Sequence, residues 1–210
     1  MGKKTTIEFM LDYHLRTLKR LKDVPSFLIS WPTWPWHDIP SALQLHDSDF
    51  LNFFQKISTE DHILSRTWLI VMADHAFYAD SFAKTHEGLL ERRNIPLFIR
   101  PPDRAVERNP EILQNLEYNS DILTSHFDVF NMLYELAKGP DGKVVIEDTV
   151  NVTSKGQSLL SELEPDRTCD DAGIPAIMCA CNLPAPGKEV GSENATVDPT
   201  LVIKFCSLPC

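Results

Sequence analysis

The 210 residues carry 30 acidic and 20 basic side chains, a net charge of −10. A field of that sign repels phosphate backbones and anionic lipid surfaces, which argues against nucleic-acid or membrane-surface binding. A hydrophobic fraction of 43% with 9% aromatics excludes a disordered chain, and no apolar stretch reaches the roughly 20 residues that span a bilayer.

In chain order, Ile7, Met10, Leu11, His14, Leu15, Leu18 and Leu21 share one face at helical spacing and predict a helix that Pro25 stops. Phe27-Leu28-Ile29-Ser30-Trp31 reads as a short buried strand. Pro32, Pro35 and Pro40 make the next stretch a loop, and Leu43, Leu45, Phe50, Leu51, Phe53, Phe54 and Ile57 predict a helix over 41–57. The run Trp68-Leu69-Ile70-Val71-Met72-Ala73 reads as a strand buried on both faces. A polar loop to Arg93 follows, then a strand at Pro96-Leu97-Phe98-Ile99 closed by Arg100-Pro101-Pro102. Asn119-Ser120-Asp121 opens a helix through Phe127, Phe130 and Leu136, and Gly139-Pro140-Asp141-Gly142 ends it. Signals between about residues 150 and 161 are mixed, and from Glu164 onward prolines and cysteines leave little room for regular structure. Helices alternating with apolar strands imply an α/β sandwich with an irregular tail, divided as residues 1–163 and 164–210.

The chemistry concentrates at Asp74-His75, where the buried strand ends. Ligands and metals gather beyond the carboxyl ends of strands in α/β sheets, and a carboxylate beside an imidazole suits zinc or manganese. The competing reading makes Asp74 a cap and His75 an ordinary loop histidine. The five cysteines Cys169, Cys179, Cys181, Cys206 and Cys210 all lie in the last quarter. That clustering fits a disulfide-stapled tail of a secreted protein. Zinc is the competing reading, opposed by the tight Cys179-Ala180-Cys181 spacing and the lack of accompanying histidines. Sequons at Asn151 and Asn194 lean toward export. The N-terminus has no signal-peptide apolar core, and Met1-Gly2 with Thr6 meets only the short, degenerate myristoylation pattern.

Several blocks together resemble the sulfatase branch of the alkaline phosphatase superfamily. The closest likeness is to an extracellular sulfatase-like family defined only as a domain of unknown function. Pro25 to Trp31, running on to His37-Asp38, is similar to that family's aromatic strand and Ser-His-Asp loop. Ile70 to Ala76 resembles its strand ending in Ser-Asp-His-Gly. Thr85 to Arg93 resembles its Thr-x-x-Gly-x-x-Glu-Glu-Arg block, and Leu123 to Asp128 its Thr-x-Phe-Asp helix start. Arg167-Thr168-Cys169-Asp170-Asp171-Ala172-Gly173-Ile174-Pro175, continuing to Cys181, is the most specific block. The likeness covers nearly the whole chain but only the second half of the family's domain.

The resemblance implies a partial sulfatase-like sandwich with a central mixed sheet. It also implies a divalent metal (zinc, calcium or manganese) with Asp74, His75 and His37 as ligands, and Lys84 and His86 as contacts to an ester group. Relatives hydrolyse phosphate or sulfate esters with one or two such ions, about 4 Å apart in two-metal sites. The family's nucleophile and first metal-binding Asp belong to the half that this chain lacks, so no catalytic nucleophile is assigned and a small ester substrate is expected only of a longer protein. Other departures point the same way. Thr33 stands where diesterase relatives carry Asp, Ala76 replaces the Gly after the Asp-His pair, and the usual basic residue two positions later is missing around Phe77-Tyr78. The alternative is a non-catalytic secreted binding module, with a protein partner covering the exposed sheet, or a gene remnant. His37 as a packed loop histidine and Lys84 as a solvated lysine stay open beside their site roles.

Overall fold

The computed structural model describes residues 4–33, 36–37, 39–60, 63–77, 81–139, 155–182 and 202–204. They form a mixed α/β structure of helices α1 (Thr6–Arg20), α2 (Asp47–Thr59), α3 (Ile63–Arg66), α4 (His86–Arg93), α5 (Asp103–Arg108), α6 (Glu111–Asn119) and α7 (His126–Lys138), with strands β1 (Leu69–Met72), β2 (Leu97–Arg100) and β3 (Val202–Lys204). The chain divides into two compact units, Met1–Trp68 with Pro102–Arg104 and Leu69–Pro101 with Ala105–Cys210. No helix among the described residues is long and apolar enough to cross a membrane.

In the first unit the predicted apolar stripe becomes α1, which buries Ile7, Leu11 and Leu15. Thr5 caps it by accepting the Glu8 N–H at 2.9 Å. Glu8 in the first turn and Lys19 and Arg20 in the last complement the helix dipole. The helix expected over 41–57 starts later, because Pro40 initiates a 3-10 turn running to His46 before α2 begins at Asp47. Polar links tie α1 and its cap to α2. Asp12 binds Lys4 and lies 3.6 Å from Lys56, and the Thr5 hydroxyl donates to Asp49 at 2.8 Å. The hydrogen bond from Lys4 holds the Asp12 carboxyl below the usual carboxylate range. A hydrogen bond from His46 does the same for Asp49.

The expected strand at Phe27–Trp31 does not form. The segment has no ladder partner among the described residues, and Phe27, Ile29 and Trp31 are about 70% exposed. What anchors it is a side-chain bond, Ser30 Oγ to His14 Nε2 at 2.9 Å.

The second unit carries the sheet, in the order β1-β2-β3, and both pairings are antiparallel where a mixed sheet was expected. Leu69 faces Arg100 and Met72 faces Leu97 across the first pair. Among the described residues β1 lies at the sheet edge, and Val71 and Met72 are 36% and 40% exposed, so the expected burial on both faces is not realised. An apolar run alone does not distinguish a central strand from an edge one.

Helix α6 has no counterpart in the periodicity reading. Asn119-Ser120-Asp121 ends α6 and does not open the next helix. The start of α7 is set by Ser125 and Asp128, which form a reciprocal capping box. α7 ends at Gly139, whose φ of 71° suits glycine.

Residues 155–182 hold only short 3-10 turns at Ala176–Met178 and Ala180–Asn182, as the proline and cysteine content implies. Side-chain amides fix them against α6. Asn119 Nδ2 donates to the Leu159 and Ser161 carbonyls at 3.1 and 2.9 Å, and its Oδ1 accepts the Leu163 N–H at 2.8 Å. Leu159 and Leu163 are thereby buried alongside Leu116, Val129 and Met132.

Candidate metal centre

The β1-β2 pairing sets where the site begins. One residue beyond β1, Ala73 N–H still donates to the Pro96 carbonyl at 3.3 Å. The chain then leaves the sheet, and Asp74 and His75 are the first side chains past it. Asp74 Oδ1 accepts the His75 N–H at 2.9 Å. His75 Nδ1 lies 2.9 Å from the Ala76 carbonyl, which only accepts, so Nδ1 carries the proton. The lone pair of the neutral ring is therefore on Nε2, which lies 3.4 Å from Asp74 Oδ2. Two acceptors at that separation repel each other unless a positive charge stands between them, whether a ring proton or a cation. A histidine whose other ring N–H is held by a backbone carbonyl is the arrangement found around metal-bound imidazoles. Both side chains are about half exposed.

The resemblance implies a divalent metal here, and the donor types fit one while the number does not suffice. Three protein ligands are usual even in open catalytic zinc sites. Among the described residues, the only three His, Cys, Asp or Glu side chains whose ligand atoms all lie within 4.8 Å of one another are Cys169, Cys179 and Cys181. Those sulfurs are not metal ligands. Cys169 and Cys179 form a disulfide, and Cys181 is itself disulfide-bonded. The disulfide reading of the tail therefore holds for these three, while Cys206, Cys210, Asn151 and Asn194 lie outside the described residues.

Lys84 ends a 3-10 turn, Phe82–Lys84, and is exposed. Thr85 caps α4, accepting Gly88 N–H at 3.1 Å and donating to the Phe82 carbonyl at 2.7 Å. The approach of α4 to that turn is close enough that a Cβ on Gly88 would sit 2.1 Å from the Phe82 oxygen, which accounts for the glycine of the block. His86 follows the cap, and its Nδ1 is enclosed without a hydrogen bond. His37 belongs to the first unit, where its N–H donates to the Thr33 carbonyl at 2.8 Å. In the same region the Trp36 ring lies edge-on to His46 and tilted to Phe50, with centroids 5.8 and 5.7 Å away.

One neighbour of Asp74-His75 was not anticipated as a site residue. His126, the first residue of α7, donates from Nε2 to the Ala73 carbonyl at 3.2 Å. Its only local signal is the capping box that starts the helix, and nothing in that motif points 53 residues back along the chain.

A family model described as "Protein of unknown function (DUF229)" matches residues 1–195. No curated protein and no solved structure matches the chain.

Proposed function

Since the chain belongs to that family of proteins of unknown function, we propose that it is a relative of the phosphate- and sulfate-ester metallohydrolases in which Asp74 and His75 form half of a divalent-metal site. The observation that carries this reading is the 3.4 Å separation of Asp74 Oδ2 and His75 Nε2, on a ring whose Nδ1 is held by the Ala76 carbonyl. A zinc, calcium or manganese ion held there would be a Lewis acid toward an ester oxygen. The roles of His37 as a ligand and of Lys84 and His86 as ester contacts rest on the resemblance. Two ligands and no assigned nucleophile leave these 210 residues without turnover, because nucleophile and metal act as a unit.

A second reading, a binding module of an extracellular protein, is favoured by the position of β1 at the sheet edge among the described residues, with Val71 and Met72 exposed, a surface for a protein partner. The Cys169–Cys179 disulfide supports the extracellular location common to both readings.

Calorimetric titration of the chain with Mn2+ and Zn2+, beside Asp74→Asn and His75→Ala, tests the first reading. Weak binding that either substitution abolishes is expected, with no hydrolysis of 4-nitrophenyl phosphate or sulfate. Binding unchanged by both substitutions would sink it. Stable capture of a strand peptide by β1, without metal binding, would favour the second. An immunoblot of the endogenous product with an antibody to 167–181 adds a check. A species well above 23.8 kDa, beyond what two glycans explain, would make ester hydrolysis by a longer protein the reaction to assay.

A further inference from the structure

We propose that His126 is the positioning residue for the Asp74-His75 pair, an assignment that rests on the metal-binding reading of that pair. The peptide group that enters Asp74 begins with the Ala73 carbonyl, and this group is planar, so the direction of the carbonyl fixes the ψ of Ala73 and the φ of Asp74. Ala73 is held at both ends. Its N–H is tied to the Pro96 carbonyl at 3.3 Å and its carbonyl accepts from His126 Nε2 at 3.2 Å. The carbonyl only accepts, so the proton is on Nε2. Asp74 Oδ1 is in turn bonded to the next amide, that of His75. A swing of the Ala73-Asp74 peptide therefore moves carboxylate and imidazole together.

The structure gives His126 a fixed base from which to act. Ser125 caps the helix immediately before it. Phe127 immediately after it is pressed by two glycines, each at a positive φ, and a Cβ at Gly156 or Gly173 would come within 2.7 Å of Phe127 atoms. Asp128, fully buried, accepts from Ser125 N–H, Gln157 N–H and the Arg167 guanidinium at 2.6, 2.7 and 3.0 Å. The first turn of α7 is thus among the most tightly tied points of the second unit. His126, itself exposed, carries that rigidity to the end of β1.

The test uses the full chain, with Mn2+ followed by electron paramagnetic resonance and backbone amide exchange measured in the metal-free protein. His126→Ala is expected to weaken Mn2+ binding about five-fold, the effect of one ordinary net hydrogen bond. It should also speed exchange at the Asp74 and His75 amides, with the melting temperature within about 4 °C of wild type. His126→Gln, whose amide donates from a comparable reach, should restore both. Unchanged affinity and unchanged exchange in His126→Ala would overturn the assignment while leaving Asp74 and His75 as ligands. A wild-type chain that binds no Mn2+ removes the metal reading itself, and the exchange result alone then decides whether His126 holds the peptide.

Discussion

Asp128 and Arg167 are the most deeply buried charges described, with 0% and 3% of their side chains exposed. The carboxylate is fully engaged by Ser125, Gln157 and Arg167, and Arg167 Nη1 also donates to the Leu123 carbonyl at 3.3 Å. Removing one partner of such a pair strands the other in a low-dielectric interior. Arg167→Ala is therefore expected to destabilise the second unit by about 3–5 kcal/mol, read by urea denaturation. A loss under about 1 kcal/mol would show that water reaches Asp128 and replaces the guanidinium. Arg167 opens the block that is most specific in the sequence, yet its pairing is not legible there. The partner is 39 residues away, and no periodicity links them.

His14 makes a different use of burial. Desolvation lowers its pKa below the ordinary 6.5, so folding favours the neutral ring that shares a hydrogen bond with Ser30. The unfolded chain then binds the proton more readily. Stability from this group is whole above about pH 6.5 and is lost as the pH falls from there through the lower folded pKa. Melts followed by tryptophan fluorescence between pH 7.5 and 5.5 should show this loss, and His14→Gln should flatten it. Equal slopes for the two proteins would refute the assignment to His14.

At the scale of elements, the helices with a strong apolar stripe, α1 and most of α2 and α7, were legible. So were the two strands ending at Met72 and Arg100, to within a residue or two. α4 escaped because His86-Glu87-Gly88-Leu89-Leu90-Glu91-Arg92-Arg93 has no clear apolar period. The Phe27–Trp31 segment misled for the opposite reason. It has the composition of a strand, but a strand exists only with a partner to receive its backbone hydrogen bonds.

The junction of α7 with residues 155–173 has a sharper signature. Gly156 and Gly173 combine positive φ values of 84° and 72° with contacts to Phe127 that leave no room for a Cβ. Gly173→Ala is expected to cost about 1–3 kcal/mol, from strain at positive φ and overpacking against the Phe127 ring. The double variant with Phe127→Leu should recover the overpacking part alone, because the shorter side chain makes room for the methyl while the backbone strain stays. No recovery would mean that strain carries the whole effect.

At the scale of the molecule, the candidate site was legible only as a dipeptide. Asp74-His75 is visible because it interrupts an apolar run, whereas what orients it comes from elsewhere, through the Ala73 carbonyl and the first turn of α7. The same tail that supports α7 is closed by Cys169–Cys179, which brackets a turn held by Ala172 N–H to Thr168, Gly173 N–H to Asp170 and Ile174 N–H to Cys169. With a sequence separation of 10, loop closure restricts the unfolded chain by roughly 2–3 kcal/mol. This stabilisation belongs to the second unit, while all four tryptophans, residues 31, 34, 36 and 68, belong to the first. The two units can therefore be followed separately. In the Cys169→Ser/Cys179→Ser variant, the transition seen by amide exchange at α7 should fall by that amount, and the tryptophan fluorescence transition should hold its midpoint. A fluorescence midpoint that moves by the same amount would show that the two units unfold as one, and the disulfide would then stabilise the whole chain.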